Sequence, residues 1–266
     1  MNDSALRIGY AVWPDDTLAT LVARHDVVVC GASLAADADL LAQALAVLDS
    51  GERERFERYE NRDVARRFAM ARFRLREMLA VLMAIPPRAV PIQIGVHGKP
   101  ALARGLQPTA LHFSVAHCDD LMLAALSRVG EVGIDAEPVR PIERWARVAD
   151  RVFNRAERAE IGREIASGDE PSSVLLRFWC RGEAELKAIG CGISGLSAHR
   201  DGWHPPGLRV SDLPAVPLPS DLASDGARYQ AAVALWAARD ANFSRMPAET
   251  SQVRPPRITP TSASTA

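Results

Sequence analysis

Lysine is almost absent from this chain of 266 residues: of 32 basic side chains only Lys99 and Lys187 are lysine, and the other 30 are arginine. Any site that needs a compact ammonium rather than a planar guanidinium must use one of those two. Net charge is also nearly absent, at -1, which argues against a general nucleic-acid or membrane-surface binder. The four cysteines, Cys30, Cys118, Cys180 and Cys191, form no C-x-x-C pair. That excludes the usual structural zinc signature and fits a reducing cytoplasm better than a disulfide scaffold. Residues 1–4 lack a basic and apolar leader, and the most apolar early stretch, 27–48, is interrupted by Asp37 and Asp39, so neither export nor membrane insertion is expected. No G-x-x-x-x-G-K-[ST] loop occurs, because Gly98-Lys99 runs into Pro100, and no G-x-S-x-G elbow occurs either. Gly190 to Gly195 spells G-x-G-x-x-G, but a helical pattern precedes it where a dinucleotide fingerprint needs a strand, so it reads as a helix stop and turn.

What is present is a globular composition, with 48% hydrophobic residues in a length that suits one or two domains. Residues 27–30 read as a buried strand and 39–48 as an apolar helix, which Ser50-Gly51 breaks before a charged helix. The longest helical pattern covers 62–84, where Val64, Phe68, Leu75, Met78, Leu79 and Leu82 draw one apolar stripe and Pro86-Pro87 ends it. The period then becomes strand-like at 89–94, 111–115, 121–127 and 132–137. Helices are expected again at 144–152, after the cap Asn154, and at 172–189 with Gly190 as its stop; strands at 208–210 and 229–236 complete a second sheet. The stretch from Ser244 is rich in Pro, Ser and Thr, and a disordered tail is expected over 244–266.

Two segments carry chemistry. In Gly133-Ile134-Asp135-Ala136-Glu137-Pro138 the period of two puts Asp135 and Glu137 on one strand face, where carboxylates repel unless a cation separates them. Magnesium suits such a pair, since it favours one or two carboxylates, waters and substrate phosphates; a solvated acidic turn is the plainer alternative. On a helix, Trp179, Glu183 and Lys187 fall at i, i+4 and i+8 and share a face. An ordinary surface Glu–Lys pair contributes only about 0.3–0.5 kcal/mol. Against that plain reading stands the retention of one of only two lysines beside this glutamate.

These residues, taken in order, resemble the 4'-phosphopantetheinyl transferases of the surfactin-synthetase-activating type. Arg66-Arg67-Phe68 through Arg76 resembles the family's Arg-rich helix, and Gly98-Lys99-Pro100 its G-K-P turn. Phe113-Ser114-Val115-Ala116-His117-Cys118 is similar to F-N-x-S-H-S and Gly133 to Glu137 to G-I-D-x-E. Phe153 to Glu157 is similar to F-x-x-x-E and Trp179 to Lys187 to W-x-x-K-E-A-x-x-K. The last two carboxylate motifs are specific in combination; the turn or the histidine alone is weak.

The resemblance implies an α/β (α+β) fold of two similar pseudo-symmetric halves, each a small sheet packed on helices, with the site in the cleft between them. The halves would be 1–128, with the Arg-rich helix, and 129–243, with the metal and catalytic motifs. It implies transfer of the phosphopantetheine arm of coenzyme A to a serine of an apo acyl- or peptidyl-carrier protein, releasing 3',5'-adenosine bisphosphate. By family position Asp135, Glu137 and Glu183 hold Mg2+, Lys187 contacts a phosphate oxygen, and Glu183 or a water held by the carboxylates is the base. Arg67 and His117 contact coenzyme A phosphates, and Lys99 and Pro100 lie by the adenine end. Plainer alternatives are a solvated surface arginine, a satisfied core histidine and an ordinary turn. A cytoplasmic monomer that binds neither nucleic acid nor membrane is expected. Its acceptors would come from fatty-acid, polyketide or nonribosomal peptide synthesis. Two positions depart from the pattern: the family lysine before the glutamate is Gly182, and the serine before the histidine is Ala116. Activity is expected to survive with weaker coenzyme A binding, since neither departure removes a proposed metal ligand. Arg181 points about 100 degrees away on the helix and is no obvious substitute. A catalytically silent relative that binds coenzyme A or a carrier is the second hypothesis, and a nucleic-acid module on the Arg-rich helix the third.

Overall fold

The computed structural model describes residues 5–95, 97–103, 111–191, 205–223 and 226–237. The expected tail and most of the 190–195 glycine stretch lie outside these residues.

The first half alternates short strands and helices: β1 (Ile8–Val12), α1 (Leu18–Arg24), β2 (Val27–Ser33), α2 (Ala38–Val47), α3 (Ser50–Glu57) and α4 (Arg62–Met83). Then follow β3 (Ile92–Ile94), β4 (Pro100–Leu102), β5 (His112–Cys118) and β6 (Leu121–Ser127). The expected break between the apolar and the charged helix falls at Leu48-Asp49, and Ser50-Gly51 opens α3. Asp49 accepts from the Glu52 amide while the Glu52 side chain accepts from the Asp49 amide, a reciprocal cap that outweighs the helix aversion of one glycine. Helix α4 starts on Asn61, whose side chain accepts from the amides of Asp63 and Val64, and stops at Ala84 in the left-handed conformation, ahead of Pro86. The strand expected over 89–94 is shorter, since Pro87–Ala89 forms a 3-10 turn.

The second half contains β7 (Glu131–Pro138), α5 (Trp145–Val152), α6 (Arg155–Ala166), α7 (Pro171–Ile189), β8 (Leu208–Asp212), α8 (Ser220–Ala223) and β9 (Tyr229–Trp236). Asn154 caps α6 in a reciprocal pair with Glu157, and Gly190 ends α7 at φ 78°. Among the described residues no helix is long and apolar enough to cross a membrane.

Beside the two-stranded β3–β4 hairpin, two larger sheets organise the described elements. The first runs β1-β2-β6-β5 with only the β1–β2 pair parallel; the second runs β7-β9-β8, all antiparallel. Strand alternation sends Val28, Cys30, Met122 and Leu126 toward α4, where they meet Met70, Phe73 and Met78. The opposite face of the same strands carries Val27, Val29, Leu123 and Ala125, which pack on Val132, Ile134, Val233 and Leu235 of the second sheet. On the far side α7 covers the second sheet through Cys180, Ala184 and Ala188 against Ala232 and Ala234. The result is helix, sheet, sheet, helix, a mixed α/β arrangement of two related halves.

The α7–β7 contact is unusually close because both surfaces are built of small residues. A Cβ on Gly133 would lie 1.8 Å from the Ala184 carbonyl oxygen and 2.5 Å from the Ala188 nitrogen, both backbone atoms that cannot rotate away. Gly133→Ala is therefore expected to destabilise the fold by about 1–3 kcal/mol, as overpacking generally does, and to lower the thermal midpoint. An unchanged melting curve would refute this account of the contact.

Candidate active site

A cavity of about 770 Å³ opens between the halves, within the range of small-molecule sites. From the first half Arg67, Lys99, Pro100 and His117 line it, and from the second Asp135, Glu137, Glu183 and Lys187. All eight site residues expected from the sequence thus reach one cleft. Asp135 and Glu137 stand on β7, and Glu183 and Lys187 lie one turn apart on α7, which Gly133 allows to approach.

Lys187 Nζ donates to Asp135 Oδ1 at 2.7 Å and to the Ile134 carbonyl at 2.9 Å. Asp135 is 8% exposed, and its other oxygen, Oδ2, is buried without a hydrogen-bond partner among the described residues. Glu137 is pushed up to about 7, first by burial and then by the Asp135 carboxylate, with Glu183 adding to it; Lys187 and the Trp179 indole N–H only partly offset this. One ammonium thus faces three carboxylates. Cys180, beneath them, has its thiol held well above its ordinary value by burial and then by Asp135 and Glu137, so it is an inert packing group.

The expected Mg2+ ligands Asp135, Glu137 and Glu183 all line the cleft. Among the described residues no three His, Cys, Asp or Glu side chains are grouped to hold a metal ion. Lys187 supplies counter-charge at one Asp135 oxygen. Hard oxygen donors, an orphaned Asp135 Oδ2 and a Glu137 carboxyl short of positive charge nonetheless fit a cation that brings its own waters and a phosphate ligand.

On the opposite wall His117 is exposed to the cleft, not a core histidine. The flanking protein removes part of its hydration, and Lys187, Arg72 and Arg55 add positive charge, so its pKa lies below the ordinary histidine value. A bound anion would reverse that by favouring the imidazolium. Lys99 Nζ donates to Glu131 Oε2 and the Val132 carbonyl, each at 3.0 Å, which ties the β3–β4 hairpin to the root of β7. Burial alone would raise Glu131, but the His112 hydrogen bond and the Lys99 charge prevail and hold it at about 2.

The Arg-rich helix is less basic than its sequence suggests. Arg66 and Arg67 pair with Asp120, Arg74 with Glu77, Arg72 and Arg76 with Glu52, and Arg76 also with Asp49; of these Arg67 and Arg72 also line the cleft. Val64 and Phe68, expected in the core stripe, also line the cleft, and Val64 is 42% exposed. Arg55 and Tyr59 were not singled out by the sequence. Arg55 lies over the Phe68 ring at 5.0 Å and Arg72 at 5.6 Å, a cation–aromatic wall on the α3–α4 side. Their one sequence signal is the density of arginine and aromatic residues over 53–76. Arg181 is engaged by Asp212 at 2.7 and 2.6 Å and does not replace the cation missing at Gly182.

Two family models match the chain in this same order. Residues 35–128 match the one described as 4'-phosphopantetheinyl transferase, N-terminal, and residues 131–215 the one described as 4'-phosphopantetheinyl transferase superfamily. Among curated relatives, the putative 4'-phosphopantetheinyl transferase slr0495 of Synechocystis sp. is 33% identical over 159 residues, 60% of this chain and 63% of its own. The 4'-phosphopantetheinyl transferase HetI of Nostoc sp. is 31% identical over 156 residues, 59% of this chain and 65% of its own. The 4'-phosphopantetheinyl transferase AcpT of Salmonella typhi is 38% identical over 96 residues, 36% of this chain and 47% of its own. The matched part thus spans between about half and two thirds of the length of these relatives.

Proposed function

We propose that the protein transfers the 4'-phosphopantetheine arm of coenzyme A to a serine hydroxyl of an apo acyl- or peptidyl-carrier protein, releasing 3',5'-adenosine bisphosphate. One observation carries the reading: a carboxylate-and-ammonium group on β7 and α7 faces a basic wall from α4, β5 and the G-K-P turn across one cleft. Attack at a diphosphate needs negative charge neutralised on the oxygens around phosphorus and a hydroxyl aligned opposite the leaving group.

In this reading Arg67, His117 and Lys99, with Pro100 beside it, receive the anionic, adenosine-bearing end of coenzyme A. Lys187, with two donors engaged, directs its third toward a diphosphate oxygen. Asp135, Glu137 and Glu183 would hold Mg2+, which when bound supplies charge neutralisation at the diphosphate. Glu183, or a water it holds with Asp135, accepts the serine proton as the Ser O–P bond forms. The P–O bond to 3',5'-adenosine bisphosphate breaks and the electron pair leaves with that group. We place the protein with the surfactin-synthetase-activating type on its two-half chain, acting as a cytoplasmic monomer.

The test is intact-mass measurement of several apo-carrier proteins after incubation with the protein, coenzyme A and magnesium, with a chelator control. A carrier that gains the phosphopantetheine mass only with metal supports the reading. A second reading, a silent relative that binds coenzyme A, is favoured by Gly182 and Ala116 at two family motif positions. It predicts no mass gain on any carrier while coenzyme A still binds.

A further inference from the structure

The turn joining β5 to β6 is only two residues long, Asp119 and Asp120, and Asp119 takes φ 49°, a conformation that favours glycine or asparagine. This chain puts two acids there, and each carboxylate meets an arginine from a different part of the molecule. Asp119 Oδ2 accepts from Arg140 at 2.5 Å, just beyond the end of β7. Asp120 Oδ1 accepts from Arg66 at 2.9 Å and from Arg67 Nε at 3.0 Å.

Asp120 is itself held firmly. Its carbonyl accepts from the Leu34 amide at 2.7 Å, and Arg66 returns a bond to the Leu34 carbonyl at 2.5 Å. The bond to Arg67 uses Nε, which leaves the two terminal nitrogens of that guanidinium at the cleft wall with no second acceptor among the described residues. One carboxylate set against two guanidinium groups leaves the cluster net positive, so the acid orients Arg67 without cancelling the attraction for an anion. Burial opposes ionisation of Asp120, but its hydrogen bonds to Arg67 and then Arg66 prevail and hold it below its ordinary value.

We infer that Asp120 is a positioning residue: it fixes Arg67 by Nε so that the terminal edge of the guanidinium is preset for a phosphate of coenzyme A. The inference rests on the reading of Arg67 as a coenzyme A contact. Presetting one long side chain corresponds to about a 3- to 10-fold difference in affinity.

The experiment is calorimetric titration of coenzyme A into the full chain and into Asp120→Ala, Asp120→Asn, Arg67→Ala and the Asp120→Ala/Arg67→Ala double variant, with thermal melts as the check on folding. Asp120→Ala is expected to weaken binding about 3- to 10-fold, and Asp120→Asn, which keeps the acceptor for Nε, to recover most of the loss. In the Arg67→Ala background the Asp120 change should add nothing, because coupled residues do not act additively. An Asp120→Ala effect of equal size without Arg67, unchanged binding by a folded Asp120→Ala chain, or an Arg67→Ala chain that binds as well as the parent each overturns the inference. If Asp120→Ala does not fold, a folded Asp120→Asn chain that binds no better than Arg67→Ala overturns it as well. A parent chain that binds coenzyme A but modifies no carrier defeats the proposed transfer alone; a parent chain that binds none defeats both.

Discussion

Asp135→Asn is expected to lower the proposed transfer to a carrier serine by about 10²- to 10³-fold, the size of effect seen when one preorganised charge is lost from a site of developing negative charge. Asparagine keeps the shape and leaves an oxygen for Lys187, so the Lys187 contact at 2.7 Å has a substitute and the fold should persist. What is removed is the anionic charge at Oδ2, the oxygen with no partner among the described residues, and with it the means of holding a cation there. Glu137 meanwhile loses one of the carboxylates that push it up, so its own charge is not diminished and cannot explain a loss of activity. Steady-state rates at saturating coenzyme A, with titration calorimetry of coenzyme A alongside, separate the effects. Activity above a tenth of the parent's would sink the assignment of Asp135.

The largest stability effect is expected at Arg76, far from the cleft. Its side chain is 1% exposed, donates to Glu52 Oε2 at 3.1 and 2.8 Å, and reaches Asp49 at 3.1 Å and the Val90 carbonyl at 2.8 Å. Arg76→Ala leaves Glu52 buried with only Arg72, at 3.6 Å, as its remaining ion-pair contact among the described residues. Breaking a buried pair from one side costs about 3–5 kcal/mol. The arm to Asp49 adds little, because that carboxylate is half exposed and screened by water. Urea unfolding should show the midpoint falling by most of the parent's margin. The double change Arg76→Met with Glu52→Leu, which removes both charges, should recover much of it. A double variant as unstable as Arg76→Ala would mean that packing rather than charge holds α3 to α4.

Arg76 also shows where reading the sequence stops. Six arginines fall between 62 and 76, and nothing in their spacing tells which is buried. The answer depends on Asp49 and Glu52, acids on another helix whose approach is a tertiary event. The same holds for Val64 and Phe68: periodicity correctly puts them on one face of α4, but that face passes from core to cleft along its length. Elements with strong local signals were legible, including Leu121–Ser127 and Tyr229–Trp236 to the residue and the Asn154 cap of α6. Short ones were not. Ile8–Val12 gains its strand character from parallel pairing with Val27–Gly31, and the three residues of Pro100–Leu102 exist as a strand only beside Ile92–Ile94. At the site, motif order named eight cleft residues because each sits in a fixed local frame. The Asp120 and Arg55 partnerships were hidden because they join residues from separate turns and helices.

The scarcity of lysine acquires a practical meaning once both copies are located. The chain's two side-chain amines, 19% and 28% exposed, each stand in an ion pair at the wall of the same cleft. Reagents that acylate primary amines therefore have almost no side-chain background on this protein. The pace at which Lys99 and Lys187 become modified amounts to a footprint of that single fissure, reporting occupancy without any engineered label.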